Sequence, residues 1–355
     1  MSAELRVGIV GCGMMGQEHI RYIGLTEGAR VTAIADPHGP SRDAAYALLG
    51  VDVETHEDYR ALLAEAPVDA LVVATPNHTH IDVLRNALKT ELHVMVEKPL
   101  CTTVEDCREV VALAAGHTGV FWVGMEYRYM APTVRLVAEV RDGAVGQVRM
   151  VAIREHRFPF QVKVDNWNRL SRNTGGTMVE KCCHFFDLMR LIVGARPRRV
   201  YASGGQDVNH LDEVYEGERS DIVDNAFVIV DFEGGGRALL DLCMFAEASR
   251  EHNEIAVTGD VGKVECAVPS FNVYLGRRDH GQVTTETETT DATALAIGQH
   301  YGSTLYEHLA FQAAVRGVGP VEVTAEDGLY AVAIGVAAER SIAEGRLVEM
   351  SELGL

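Results

Sequence analysis

Residues 5–10, Leu-Arg-Val-Gly-Ile-Val, form a short apolar run that predicts a buried strand, and Gly11-Cys-Gly-Met-Met-Gly16 follows at once. An amphipathic pattern carrying Ile20, Ile23 and Leu25 predicts a helix next, and residues 30–35 a second strand ending at Asp36. The alternation continues. Residues 59–64 read as helix, 68–74 as a strand ending in Thr75-Pro76-Asn77-His78-Thr79-His80, and 81–89 as helix. A strand over 93–96 runs into Glu97-Lys98-Pro99, a helix spans about 103–115, and 119–123 is a further strand. Strands alternating with helices imply a parallel, doubly wound sheet.

After Gly124 the texture changes. A helix near 131–142 leads into the alternating segment 147–156. Two hairpins follow, 224–233 with 237–245 and 254–257 with 263–266, each joined by a glycine-containing turn. The polar, threonine-rich stretch 281–293 reads as an exposed turn and linking strand, and helical patterns at 303–316 and 325–344 close the chain. At 355 residues the chain exceeds the usual size of a single core. The expected architecture is therefore α/β, with an N-terminal doubly wound domain over residues 1–123. A C-terminal α+β domain over 124–355 carries a large, mostly antiparallel open sheet, and the last helix packs back on the first domain.

The turn at Gly11–Gly16 gains meaning from its context of strand, helix, second strand and acid. Gly11 permits the tight turn, Gly13 admits a pyrophosphate to the backbone, and Gly16 lets helix and strand pack closely. Unpaired N–H groups at the helix start then hold the phosphates, engaging the backbone of Gly11, Cys12, Gly13, Met14, Met15 and Gly16. Asp36 lies where a carboxylate accepts from the adenosine ribose hydroxyls and repels a 2′-phosphate, so NAD is favoured over NADP. Arg42 is placed to fold back towards such a phosphate. Ligands of open α/β sheets bind beyond the carboxyl ends of strands. Thr75, Pro76, Asn77, His80, Glu97 and Lys98 all lie there.

Charge and cysteine usage narrow the classes. The formal net charge of −19, with no compensating basic block, excludes nucleic acid as an expected partner. No apolar stretch approaches the roughly eighteen residues of a membrane span, and the N-terminus does not resemble a signal peptide. The seven cysteines include no Cys-x-x-Cys spacing. They read as free thiols in a reducing compartment, which makes the expected location cytoplasmic.

In the segment from Trp167 to Arg190, a loop rich in amide, guanidinium and indole groups passes through Gly175-Gly176 into a helix. Glu180, His184 and Asp187 share one helical face there. A histidine exchanges a proton near neutral pH, and a carboxylate one turn away orients its ring. Thr177 and Glu180 also have the spacing of a capping box, which would direct Glu180 to the helix's own first turn. No metal is expected, since His78, His80 and His184 make no tight ligand pattern.

These residues together resemble the glucose–fructose oxidoreductase and inositol dehydrogenase family. The resemblance runs nearly the full length, through Gly11–Gly16, Asp36, Thr75–His80, Glu97-Lys98-Pro99, Glu126-Tyr127-Arg128, Gly175–Asp187 and the Gly259–Gly262 turn. It implies a Rossmann domain, a second domain whose open sheet builds a homodimer or homotetramer, and a substrate pocket between the two. It further implies NAD-dependent oxidation of a secondary hydroxyl of a sugar, cyclitol or sugar derivative to a ketone, or the reverse. Lys98 then polarises the reacting oxygen, His184 is the general acid/base, and Glu180 is its carboxylate partner. Tyr127, Arg128, Lys163, Asn166 and Trp167 join Lys98, Glu180 and His184 as expected substrate contacts, and the loop residues Asp165 and Arg169 also look like contacts. His300, Tyr301 and His308 are either pocket or packing residues. The chain departs from the family in carrying Glu180 where aspartate is usual and in lacking the usual glycine near Cys182, while Lys181 adds a cation next door. Alternatives are a glycoside, anhydrosugar or sugar-nucleotide dehydrogenase with a retained cofactor, and a non-catalytic NAD sensor.

Overall fold

The computed structural model describes residues 4–355 except Glu216 and Gln299. Two compact units emerge. The first comprises Met1–Glu126, Lys163–Trp167 and Asp291–Leu329, the second Tyr127–Val162, Asn168–Thr290 and Tyr330–Leu355.

The first unit holds six parallel strands, β1 (Leu5–Val10), β2 (Ala29–Ala35), β3 (Glu54–His56), β4 (Ala70–Val73), β5 (His93–Glu97) and β6 (Phe121–Gly124), in the order β3-β2-β1-β4-β5-β6. That is the order of a dinucleotide-binding doubly wound sheet. The continuous apolar runs are explained by position, since β4 and β6 are buried at every residue. Connecting helices are α1 (Met14–Ile23), α2 (Gly39–Leu49), α3 (Tyr59–Glu65), α4 (His80–Ala87) and α5 (Val104–Ala115). A late segment also joins this unit. It contains α10 (Ala292–Ala296) and α11 (Ser303–Val315), and α11 packs on α1, where Gln312 Nε2 donates to Thr26 Oγ1 at 2.8 Å.

The second unit is built on a nine-stranded sheet. Its main strands are β7 (Val148–His156), β8 (Pro197–Gly205), β11 (Asn225–Phe232), β12 (Arg237–Cys243), β13 (Asn253–Gly259), β14 (Gly262–Val268), β15 (Asn272–Arg277) and β16 (Val283–Thr287), with the two-residue β17 (Val348–Glu349) at one edge. A separate small hairpin pairs β9 (Val214–Tyr215) with β10 (Glu218–Arg219). The order is β16-β15-β14-β13-β7-β12-β11-β8-β17, and β7 and β12 alone among these neighbours run parallel. Both expected hairpins form, as β11–β12 and β13–β14. Helix α6 (Ala131–Arg141) packs on β14 and β15. The segment 171–193 forms α7 (Ser171–Thr174), α8 (Thr177–Glu180) and α9 (Cys183–Val193), and α9 packs on β7 and β12. The terminal helix α12 (Ala325–Glu344) is tied to β8 where Ser341 Oγ accepts the Ala202 N–H at 2.8 Å.

The sequence pattern did not anticipate α2, β3 or β15, and three further findings depart from it. Strand β8 escapes it because only Pro197, Val200 and Ala202 point inwards among arginines and glycines. The helix expected through Glu180, His184 and Asp187 is broken at Lys181-Cys182. The Thr177 capping box does not form: Gly176 is the N-cap, and the Thr177 hydroxyl donates to the Val223 carbonyl at 2.6 Å.

Candidate active site

The glycine-rich turn leaves β1 at Gly11, whose φ of 94° and approach to the Ala74 carbonyl exclude a side chain. A Cβ on Gly16 would collide with the Gly11 carbonyl, whereas one on Gly13, the N-cap of α1, meets nothing within 4 Å. Open space over a backbone at a helix N-terminus fits the pyrophosphate of a dinucleotide. Asp36, at the end of β2, faces the turn. Its carboxylate accepts from the Cys12 N–H at 2.6 Å and the His38 N–H at 2.8 Å. Burial and the Asp36 charge push the Cys12 thiol up to about 12, so it stays protonated. Arg42 does not point at open space. Its guanidinium donates to the Asp36 carbonyl at 2.6 Å and reaches Glu57 at 3.4 Å.

Beyond β4, His80 joins two strand exits. Its Nε2 meets the Thr75 carbonyl at 3.0 Å and its Nδ1 the Pro99 carbonyl at 2.9 Å. Burial holds this imidazole below its ordinary pKa, so one ring nitrogen donates while the contacts hold the chain from Thr75 against the Glu97-Lys98-Pro99 turn. Thr79 Oγ1 also bonds Thr75 Oγ1 at 2.9 Å. Around Lys98 lies a buried polar network. Glu97 Oε1 pairs with His19 Nε2 at 2.8 Å, and His19 Nδ1 with His308 Nε2 at 2.8 Å. Burial raises the Glu97 carboxyl, but the His19 hydrogen bond and charge, with Lys98, bring it below the ordinary range. Glu18 Oε1 meets His300 Nδ1 at 2.8 Å, and His300 Nε2 lies 3.4 Å from Glu126 Oε1. Burial pushes Glu126 up and Glu307 well up. His300 and His308 thus join this network, while Glu18, His19 and Glu307 are additions the sequence reading missed. The available signal was a polar pair, Glu18-His19, on the buried face of α1.

The second unit gathers Tyr127, Arg128, Glu180, His184 and Asp187. All but the part-buried Arg128 are buried. Despite the helix break, Glu180 closes α8 and His184 lies in the first turn of α9, while Asp187 follows one turn on. Arg128 binds Asp187 bidentately, at 2.6 and 2.5 Å. The His184 imidazole stacks on the Tyr127 ring, centroids 4.2 Å apart and planes 9° from parallel. The approach to α8 is set by Glu339 of α12, which accepts the Met178 N–H at 2.9 Å and passes over Gly176 at φ 90° so closely that no side chain fits there.

The loop residues divide. Lys163 and Trp167 cluster with the first unit, the Lys163 ammonium 4.6 Å above the indole and His78 at 6.3 Å from it. Asp165 and Asn166 adopt left-handed φ of 53° and 51° beside them. Arg169 is buried in the second unit, donating to the Phe160 carbonyl at 3.0 Å and to Glu213 at 3.2 Å. Among the described residues no cluster of three or more metal-ligating side chains occurs, and no helix is long and apolar enough to cross a membrane.

Comparison with known proteins agrees with this geometry. Residues 5–125 match the family model for an oxidoreductase NAD-binding Rossmann fold, and residues 137–350 match its C-terminal alpha/beta domain. The chain is 25% identical to a myo-inositol 2-dehydrogenase of Thermotoga maritima, over 98% of this chain and 99% of that protein. It is 28% identical to an inositol 2-dehydrogenase of Saccharopolyspora erythraea, over 98% and 96%. The solved levoglucosan dehydrogenase in complex with NADH and levoglucosan superposes with a TM-score of 0.82 at 19% identity, covering 98% of this chain and 99% of that one.

Proposed function

The chain belongs to the Gfo/Idh/MocA oxidoreductase family, and from that premise we propose that it oxidises a secondary hydroxyl of a sugar, cyclitol or sugar derivative to a ketone with NAD, or runs the reverse. The observation that carries this reading is the match of both family models to a chain that keeps Lys98 at the carboxyl end of β5 and His184 at the head of α9. His184 takes the proton of the hydroxyl, and Lys98 stabilises the negative charge that develops on the oxygen. Glu180 orients the imidazole. Bound NAD supplies the hydride acceptor.

Gly11–Gly16 hold the pyrophosphate, with Thr75, Pro76, Asn77, His80 and Glu97 shaping the strand exits beside it. Asp36 selects NAD: its carboxylate repels a 2′-phosphate, and Arg42 is engaged with the Asp36 carbonyl and Glu57. Arg128, Lys163, Asn166 and Trp167 bind substrate, and Tyr127, its ring stacked on His184, backs the site. Among them Trp167 with Lys163 offers the flat apolar surface and polar edge a polyol ring needs. The free thiols, six of the seven buried, suit a reducing cytoplasmic setting.

The test is NADH absorbance at 340 nm with purified protein, NAD⁺ or NADP⁺, and a panel of inositols, free sugars, glycosides and anhydrosugars. NADH formed with one class establishes the reaction and its cofactor together. Silence across every class, with NAD⁺ shown to bind, overturns the reading.

A further inference from the structure

Lys181, a cation between Glu180 and the helix that carries His184, has no part in the proposed reaction. Its buried ammonium donates to the Tyr127 hydroxyl oxygen at 2.7 Å and pairs with Glu155 Oε1 at 3.0 Å. Arg157 Nη1 reaches the same two groups, at 3.4 and 3.2 Å. Asn253 Nδ2 donates to the other Glu155 oxygen at 3.1 Å. The phenol is thus gripped at its oxygen by two cations while its ring lies flat against His184 at 4.2 Å, with Phe185 packed edge-on at 5.7 Å.

Two effects follow. A ring anchored at one end by an ammonium and walled by Phe185 fixes the plane in which the stacked imidazole lies. The charges also matter. Burial raises the Glu155 carboxyl, but Lys181 and Arg157 bring it below the ordinary range, so it is ionised at neutral pH. That leaves two cations against one carboxylate at the hydroxyl end of the ring that stacks on the imidazole. Other charged groups on the elements around α9 are Glu180 of α8, which favours imidazolium, the mutually compensated Arg128–Asp187 pair, and His156 of β7 with Asp241 of β12 at 3.0 Å. Like charge disfavours the charged form of a base.

We propose that Lys181 and Tyr127 are positioning residues for His184: Lys181, acting with Tyr127, holds the imidazole in one plane and keeps it in its neutral, proton-accepting form. This inference rests on the reading of His184 as acid/base and deepens it. The experiment is an NMR titration of the full chain labelled with ¹³C-histidine, the His184 signal being the one lost in His184→Ala. Lys181→Met is expected to raise its midpoint by about half to one pH unit, and Glu155→Gln to lower it by a similar amount. The double variant returns near the starting value, and Lys181→Arg keeps it there. Tyr127→Phe, which preserves the stack and removes the anchored oxygen, should lower kcat with little change in KM. Bound NAD⁺ serves as the check of folding, and Glu155→Gln reads the same electrostatics should Lys181→Met fail to fold. A His184 midpoint that moves in neither Lys181→Met nor Glu155→Gln overturns the inference. If His184→Ala instead keeps full turnover, the acid/base reading itself falls, and that outcome is separate.

Discussion

Asp36 is committed to two backbone N–H groups before any ligand arrives, so the carboxylate proposed to favour NAD is prepositioned. Asp36→Ala should therefore do two things at once. It removes hydrogen bonds to a charged acceptor worth about 1.5–3 kcal/mol, raising the Kd for NAD roughly tenfold or more, and it narrows the preference over NADP. Fluorescence titration with both cofactors checks this, and an unchanged ratio would show that Asp36 only braces the turn. Lys98→Ala and His184→Ala should each lower turnover by about 10²-fold or more, with NAD affinity held within a few-fold by calorimetry. Unchanged turnover in both sinks their assignment. The glycine turn and Asp36 were legible because their chemistry is local: spacing alone puts a carboxylate at the end of the second strand. Glu18 and His19 were not. Their role depends on α11, some 280 residues later, delivering Thr304 and His308 to them, and no local pattern encodes that meeting. Arg169 misled for the converse reason, since a guanidinium in a polar loop looks available until the Phe160 and Gln161 carbonyls are seen to occupy it.

At the scale of elements, periodicity exposed the strands that bury an alternate face and missed β8, where polar residues dilute it. The break between α8 and α9 was likewise hidden, because Glu180, His184 and Asp187 keep helical spacing on either side of it. What holds the break in place is tertiary. Glu339 of α12 reaches over Gly176 to the Met178 N–H, and burial raises its pKa from the ordinary 4.5 to about 7. A carboxyl raised on folding favours the native state most below its unfolded pKa, and that contribution is lost as pH rises through the folded value. Stability should thus fall between about pH 4.5 and 7, by on the order of 3–3.5 kcal/mol if the whole shift is expressed. Glu339→Gln keeps an acceptor for Met178 and removes the ionisation. Urea midpoints at pH 5 and pH 8 should differ less in this variant than in the parent, the gain appearing at pH 8. An identical difference in both proteins would place the titrating group elsewhere.

For the molecule as a whole, the face of the large sheet that carries Tyr201, Ile229 and Leu239 leaves large apolar side chains exposed. Ile229 lies directly opposite Tyr201 on β8 and Leu239 on β12, with Phe227 two residues away on β11 and Met150 on β7. All five are exposed, Phe227 by 60%. Four neighbouring strands thus present one contiguous apolar surface, edged by the Arg199–Asp231 and His156–Asp241 pairs. A net charge of −19 opposes non-specific association, so what covers this surface must match it in shape. A second copy of the chain is the occupant proposed here, because an isologous contact would set the same apolar patch against itself. Ile229→Asp buries an unpaired carboxylate at the centre of such a contact and should dissociate it. Sedimentation velocity is expected to show the parent as a dimer or tetramer and the variant as a smaller species. A parent that sediments as a monomer at every concentration would leave this face to a different partner.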